Sequence, residues 1–345
     1  MGLNKRLIST AAAGIVNTEN FTPFLYDGGG SQSFSIGFAA DLVFIKNRTV
    51  GQGWSVWDTV RGASNGYLKL ETTDSVSSPF NMLTFDSDGF NVSDNGGAHT
   101  QTSRSSSGDK YVSYAWKAGG AAVSNTDGTI TAQVSANPDA GFSIGTYTGN
   151  STAGATIGHG LSSTPELMIV KLRSGIPPKA WTVYAEALGN TDFLYLNSTN
   201  GASAYNFWNN TSPTNSVFSV SSDTNVNSNL GNYVFYAFHS VNGYQKVGTY
   251  TASNSWGTSA VIDVGFPPRF VLVKSIDNTG SWLTVDSLRG GSNGQDRARL
   301  YANLNGAEGA DTSVDFSGNT FSITFGSTGN QGTPNVSRYM YLAIA

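Results

Sequence analysis

The chain of 345 residues contains no cysteine. Disulfide staples, thiolate nucleophiles and cysteine-ligated zinc are excluded at once. Charge is scarce as well: Asp, Glu, Lys and Arg supply 12% of the residues, about half the usual share. The formal net charge is −4 and no lysine–arginine run occurs, so the basic face that phosphate neutralisation requires is missing and no nucleic-acid partner is expected. No apolar run approaches the ~18 residues of a membrane-crossing helix, so no membrane insertion is expected. Beyond residue 16 no segment sustains a helical period. A Gly-x-Ser-x-Gly elbow, a P-loop and a His-Glu-x-x-His motif are all lacking. His99, His159 and His239 have no metal-ligand spacing, and the sequence calls for no cofactor, no metal and no catalytic residue.

What is abundant is aromatic residues, at 12%, and glycine, 41 in number. A disordered chain would be aromatic-poor. Runs of four to eight β-branched and aromatic residues alternate with Gly, Asn, Asp, Ser and Pro clusters, which predicts short strands joined by tight turns. One block occurs three times. The run Asp41-Leu-Val-Phe-Ile-Lys46 returns as Glu166-Leu-Met-Ile-Val-Lys171 and as Arg269-Phe-Val-Leu-Val-Lys274. Each is followed by a tryptophan (Trp54, Trp181, Trp282) and, eight residues later, by a glycine (Gly62, Gly189, Gly290). Each closes on an aromatic strand starting at Tyr111, Tyr233 or Tyr339, respectively 65, 62 and 65 residues after the lysine. A unit of roughly a hundred residues exceeds any solenoid period and matches a small domain.

The fold class expected is therefore all-β, with three tandem antiparallel β-sandwich (jelly-roll-like) repeats and a short N-terminal arm. The boundaries are 1–20 for the arm, 21–118 for repeat 1, 119–140 for an insertion, 141–242 for repeat 2 and 243–345 for repeat 3. The insertion reads as an extra hairpin or a linker. Repeats 2 and 3, joined through Asn242-Gly243, should keep a fixed geometry, while repeat 1 is free to swing. Lys5 and Arg6 ahead of a small apolar stretch have a faint likeness to an export signal, but Ser9 and Thr10 interrupt it. The segment is read instead as an attachment arm carrying Lys5 and Arg6.

One constellation invites a chemical reading. Trp54, Trp57, Asp58 and Arg61 are matched by Trp282, Asp286 and Arg289. An acid and an arginine three apart beside tryptophan have the makings of a glycan site, the indole stacking on a sugar ring. The same residues also suit a structural pair pinning a turn. Repeat 2 holds Ala185 and Leu188 at those places while keeping Trp181 and Gly189, so the pair is dispensable to the unit and the structural role is favoured. The carboxylates of Asp86-Ser-Asp-Gly89 and Asp223 fall in turn contexts, and the first reads as a hairpin turn rather than a calcium loop.

The whole motif set, from the Leu-Val-Phe-Ile-Lys run through Trp-x-x-x-Asp-x-x-Arg-Gly and Phe85-x-x-x-Gly-Phe90 to Tyr-Val-x-Tyr-Ala, resembles an uncharacterised repeated β-domain. That domain occurs in tail-fibre and virion surface proteins of marine, cyanophage-type bacteriophages. The resemblance covers residues from about 20 onward and implies a non-enzymatic virion structural protein, a tail-fibre or surface-appendage subunit for host attachment. It implies other virion proteins as partners through the arm, a location on the tail or capsid exterior, a homo-oligomer (a trimer is expected) and a host surface glycan as receptor. A capsid decoration protein and a secreted carbohydrate-binding adhesin are the alternatives.

Overall fold

A computed structural model describes residues 19–77, 82–93, 108–174, 177–251, 259–289, 297–311, 314–324 and 337–345. The expected arm, with Lys5 and Arg6, lies outside them up to residue 18, as do His99 and Gly290. The described chain is all-β, and its strand pairs are antiparallel. Each lysine-bearing run is a strand: Leu42–Asn47, Leu167–Ser174 and Phe270–Ser275. Each pairs on one side with the aromatic closing strand (Lys110–Trp116, Asn232–Phe238, Arg338–Ile344) and on the other with the strand after the tryptophan (Ser55–Asp58, Thr182–Ala185, Leu283–Asp286). The opening strands Phe21–Asp27, Phe142–Thr148 and Gln245–Thr251 flank the closing strands. The order opening–closing–lysine–tryptophan strand thus recurs three times.

Registers repeat to the residue. Tyr26 lies opposite Tyr111, Tyr147 opposite Tyr233, and Tyr250 opposite Tyr339. The three ring pairs stack at 5.0, 5.0 and 5.1 Å, within 11° of parallel. Two residues earlier, glycine faces a ring: a Cβ on Gly145 would meet the Phe235 ring at 2.2 Å, and one on Gly248 the Tyr341 hydroxyl at 2.5 Å. Repeat 1 reverses the sizes, with Phe24 opposite Ser113. Cross-strand volume is conserved by pairing large with small.

Both faces of these sheets are buried. In repeat 1 the outward face (Val43, Ile45, Tyr111, Ala115) packs on a small sheet of Gln32–Ser35, Gly89–Val92 and Leu83–Asp86. In repeat 2 the partner is Ala155–Gly158 with Val217–Val220; in repeat 3 it is Ser259–Asp263 with Thr320–Thr324 and Val314–Ser317. The inward faces behave differently. Leu42, Tyr114 and Trp116 share one continuous cluster with Leu167, Tyr236 and Phe238, with Phe270, Leu342 and Ile344, and with Trp54, Trp181 and Trp282. Three sandwiches therefore stand around a common apolar centre. Side chains fill it down to a void of about 30 Å³, bordered by Phe44, Ile169 and Leu272 among others.

Two expectations need correction. The recurring tryptophans Trp54, Trp181 and Trp282 lie in the shared centre and not in the separate outer cores that repeats 1 and 2 also enclose, and repeat 1 is tied to both neighbours instead of swinging. Swinging would expose the inner face of its sheet, at roughly 25 cal/mol for every Å² of apolar surface. The insertion is a hairpin: Val123–Asn125 pairs with Ala132–Asn137, which adds to Phe142–Thr148 and extends the repeat-2 sheet to eight strands.

Since the inner faces have only one another to pack against, a lone repeat has no partner for half its core. Residues 141–242 expressed alone should be unfolded, with collapsed amide dispersion in a ¹⁵N correlation spectrum. The full chain should unfold in a single denaturant transition seen equally by tryptophan fluorescence and circular dichroism. A folded fragment, or three separate transitions, would contradict the shared core.

Candidate functional site

The residues that the sequence marks for chemistry all lie inside. Trp54, Trp57, Asp58, Arg61, Trp282, Asp286 and Arg289 are each at most 3% exposed. None turns a face to solvent, so none is placed to stack on a sugar. Six of them sit at joints between repeats, and Trp57 faces the repeat-1 sandwich interior against Tyr67 at 5.3 Å.

The tryptophans close a ring. Trp54 Nε1 donates to the Tyr301 carbonyl at 2.9 Å, Trp181 Nε1 to Lys69 at 2.9 Å and Trp282 Nε1 to Tyr195 at 3.0 Å. Repeat 1 thus bonds repeat 3, repeat 2 bonds repeat 1 and repeat 3 bonds repeat 2, a head-to-tail contact that closes after three steps. The lysines ending the apolar runs follow the same circuit. Lys46 Nζ donates to Asn305 O at 3.2 Å, Lys171 Nζ to Thr73 O at 2.8 Å and Lys274 Nζ to Thr199 O at 3.3 Å. All three are fully buried, and desolvation lowers each pKa to about 8.

The Asp–Arg pairs belong to the same joints. Asp58 Oδ2 accepts from Arg61 Nε at 2.5 Å while its Oδ1 accepts the Arg61 backbone N–H at 2.7 Å, closing the turn. Gly62, which ends that turn, has φ +80°, and Gly189 has φ +75°, the conformation that makes glycine recur there. The remaining bond comes from elsewhere: Tyr236 Oη of repeat 2 donates to Asp58 Oδ2 at 2.8 Å. Likewise Tyr114 Oη of repeat 1 donates to Asp286 Oδ2 at 2.8 Å and accepts from Arg289 at 2.9 Å. Burial opposes the Arg61 and Arg289 charges, but the adjacent aspartates more than compensate and hold both guanidiniums above their ordinary pKa. At the third joint the corresponding residues are Ala185 and Leu188 of repeat 2 and, in place of those tyrosines, Leu342 of repeat 3, and all three lie in the central cluster. The aspartate, arginine and tyrosine are present together or replaced together.

Sequence reasoning missed the tyrosines, the role of the lysines and the placing of these residues between repeats. The signal was there as an offset: Asp–Arg occupies repeats 1 and 3, while the fifth residue of the closing strand is tyrosine in repeats 1 and 2. A ring displaced by one repeat reconciles the two patterns.

The remaining titratable candidates are also structural. His159 Nδ1 accepts the Leu161 N–H at 3.1 Å and Nε2 faces Thr214 O at 3.2 Å; burial lowers its pKa to about 4. Asp86-Ser-Asp-Gly89 is a two-residue hairpin turn, Asp86 paired with Gly89. Among the described residues no group of three or more metal-ligating side chains converges.

Residues 17–345 match the family described as a domain of unknown function (DUF7483), and the chain belongs to that family. A single family description spans all three repeats. Comparison with curated proteins gave no match.

The coupled replacement in repeat 2 makes an energetic forecast. Asp58→Ala alone leaves the Arg61 charge buried without its partner and should destabilise by about 3–5 kcal/mol. Copying the third joint whole, as Asp58→Ala with Arg61→Leu and Tyr236→Leu, should recover most of that loss in urea denaturation. A triple variant no better than the single one would show that the joints are not interchangeable.

The lysines set a pH dependence. Their folded pKa values of about 8 lie below the ordinary 10.5 of the unfolded chain, so between pH 8 and 10 the unfolded state holds more protons and stability rises with pH. The slope is at most about 1.4 kcal/mol per pH unit for each lysine. Above pH 10 buried tyrosines such as Tyr236 and Tyr114, whose pKa values burial raises, ionise first in the unfolded chain and reverse the trend. Urea midpoints should climb from pH 8 to 10, less steeply in Lys274→Met; a flat profile would mean the lysines are not desolvated.

Proposed function

We propose that this member of the family is a non-enzymatic structural protein of a bacteriophage virion, a tail-fibre or surface-appendage subunit that presents the ring for host attachment. The observation that carries the reading is that the chain's conspicuous acid–base constellations are consumed in holding three repeats together. Asp58–Arg61–Tyr236 and Asp286–Arg289–Tyr114 are saturated by one another and by backbone carbonyls. Such a body is a rigid mount for loops. Its surface loops are rich in Ser, Thr, Asn and Gly, and its low charge suits display next to other proteins.

The sequence resemblance supplies the virion setting, and the internal threefold arrangement supports it. A ring of three like units can seat at the end of a threefold fibre without a symmetry mismatch. In this reading residues 1–20 are the contact to other virion proteins and the host receptor is a surface glycan. Several fibres on one particle raise avidity through effective concentration.

Purified protein should bind intact host cells and reduce adsorption of the parent phage at micromolar concentration, and antibody against it should decorate particles at the tail or capsid exterior. Undecorated particles would remove the virion assignment; decorated particles with unaffected adsorption would leave a structural role without adhesion.

A further inference from the structure

Building on the adhesion reading, we propose that a cleft confined to repeat 2 binds a neutral pyranose sugar. The cleft has a volume of about 600 Å³ and is lined by Tyr205, Asn206, Ser221, Ser222, Asp223 and Thr224, a size within the usual range of small-ligand sites. Tyr205 is 50% exposed and is the one aromatic among the large exposed apolar side chains of the described residues. Yet it is fixed. Its ring leans on Phe207 at 4.5 Å and Phe193 at 6.5 Å, and its hydroxyl donates to Asp223 Oδ2 at 2.9 Å. Asp223 is itself held, Oδ1 accepting the Asn225 backbone N–H at 2.7 Å and its side-chain amide at 2.8 Å. An aromatic face already ordered in solvent loses little entropy when something packs on it.

The other repeats act as an internal control. In repeat 2 Phe193 pairs with Ser203, and in repeat 3 Arg299 pairs with Gly309. Counting on from those pairs, Tyr205 corresponds to Asp311, while Tyr195, whose carbonyl serves the ring, corresponds to Tyr301. Repeat 3 keeps the residue whose carbonyl serves the joint and builds the same sheet order without an aromatic at the outer position. The fold therefore does not require Tyr205.

The chemistry of the lining selects the ligand. An exposed, immobilised phenol ring offers a flat apolar surface to the C–H face of a hexopyranose. Asp223 Oδ2, with one lone pair left beside the Tyr205 bond, can accept from a sugar hydroxyl, and Asn206, Ser222 and Thr224 supply further donors and acceptors at the exposed rim. The same carboxylate repels an anionic sugar.

The test uses ¹⁵N-labelled full-length protein titrated with methyl β-D-galactopyranoside, methyl β-D-glucopyranoside and methyl β-D-glucuronide. Expected are saturable, millimolar shifts confined to residues 203–207 and 221–225 with at least one neutral glycoside and none with the glucuronide. Tyr205→Ala should weaken binding at least tenfold, and Tyr205→Phe, which keeps the ring but frees it from Asp223, by less. An unchanged urea midpoint in both variants confirms that the fold is intact. No saturable shift with either neutral sugar, equal binding of the glucuronide, or undiminished affinity in Tyr205→Ala would overturn the proposal. Cell binding separates this cleft from the adhesion reading. Equal cell binding by the wild type and Tyr205→Ala leaves adhesion standing without the cleft. Glycoside binding at the cleft by a protein that ignores host cells leaves the cleft standing without adhesion.

Discussion

The inner face of each sheet is apolar across its centre, with charged side chains only toward its margins, and finds no cover within its own repeat. The chain satisfies all three faces at once by turning them toward a common centre, and the rest of the arrangement follows from that burial. Sheets brought together this way must desolvate the polar groups along their margins, and a buried donor left unmade costs about 1–3 kcal/mol. The indole N–H groups of Trp54, Trp181 and Trp282, each finding a carbonyl on the next repeat, answer that requirement with one solution used three times. So do the lysines. Their amino groups lie where a sheet margin brings a neighbour's carbonyls within reach, and the desolvation that lowers their pKa follows from that placement.

Two of the joints are crossed by the chain and the third is not, and the residues just ahead of the lysine strands register the difference. Asp41 accepts the Ala118 and Gly120 N–H groups at 2.8 and 3.2 Å, where the chain leaves repeat 1. Glu166 accepts the Ser240 N–H where it leaves repeat 2. The equivalent residue of repeat 3 is Arg269. It donates instead to Phe21 O and Thr22 Oγ1, at the start of repeat 1, at 3.4 and 3.0 Å. An acceptor for a departing amide has become a donor to an arriving carbonyl. The same joint carries the Arg48–Glu308 pair at 2.7 and 2.8 Å, with Arg289 also on Glu308 at 3.1 Å. Contacts of this kind hold without covalent help what a linker holds elsewhere.

Much of the fold was legible because it is written three times. Periodicity located the strands, and the recurrent tryptophan and glycine marked positions that every copy keeps. What covers the inner face of each sheet was not legible. Leu42, Phe44 and Tyr114 carry no mark that distinguishes packing on one's own outer sheet from packing on another repeat, since both require only apolar side chains. The same ambiguity made Asp58 and Arg61 look available to a ligand: an acid and a base beside tryptophan read alike at a surface and at a buried joint until the partner, Tyr236, is placed 178 residues away.

Repetition also separates what a repeat needs from what it carries. The stacked tyrosine pairs, the indole bonds and the buried lysines occur in every copy and belong to the architecture. The Asp–Arg–Tyr set occurs in two, with a matched apolar set in the third, so it too belongs to the architecture, as one of two interchangeable ways to fill a joint. Features held by a single copy on its surface answer to neither account. The hairpin at residues 123–137 occupies the free edge of the repeat-2 opening strand, while the same edge in repeat 1 holds Pro23, a residue that cannot donate to an added strand. Protection of an edge explains that hairpin. It does not explain an exposed tyrosine anchored to a carboxylate, which covers no edge and fills no core. Among the described residues, Tyr205 is thus a feature of one copy that neither the shared centre nor an exposed edge accounts for.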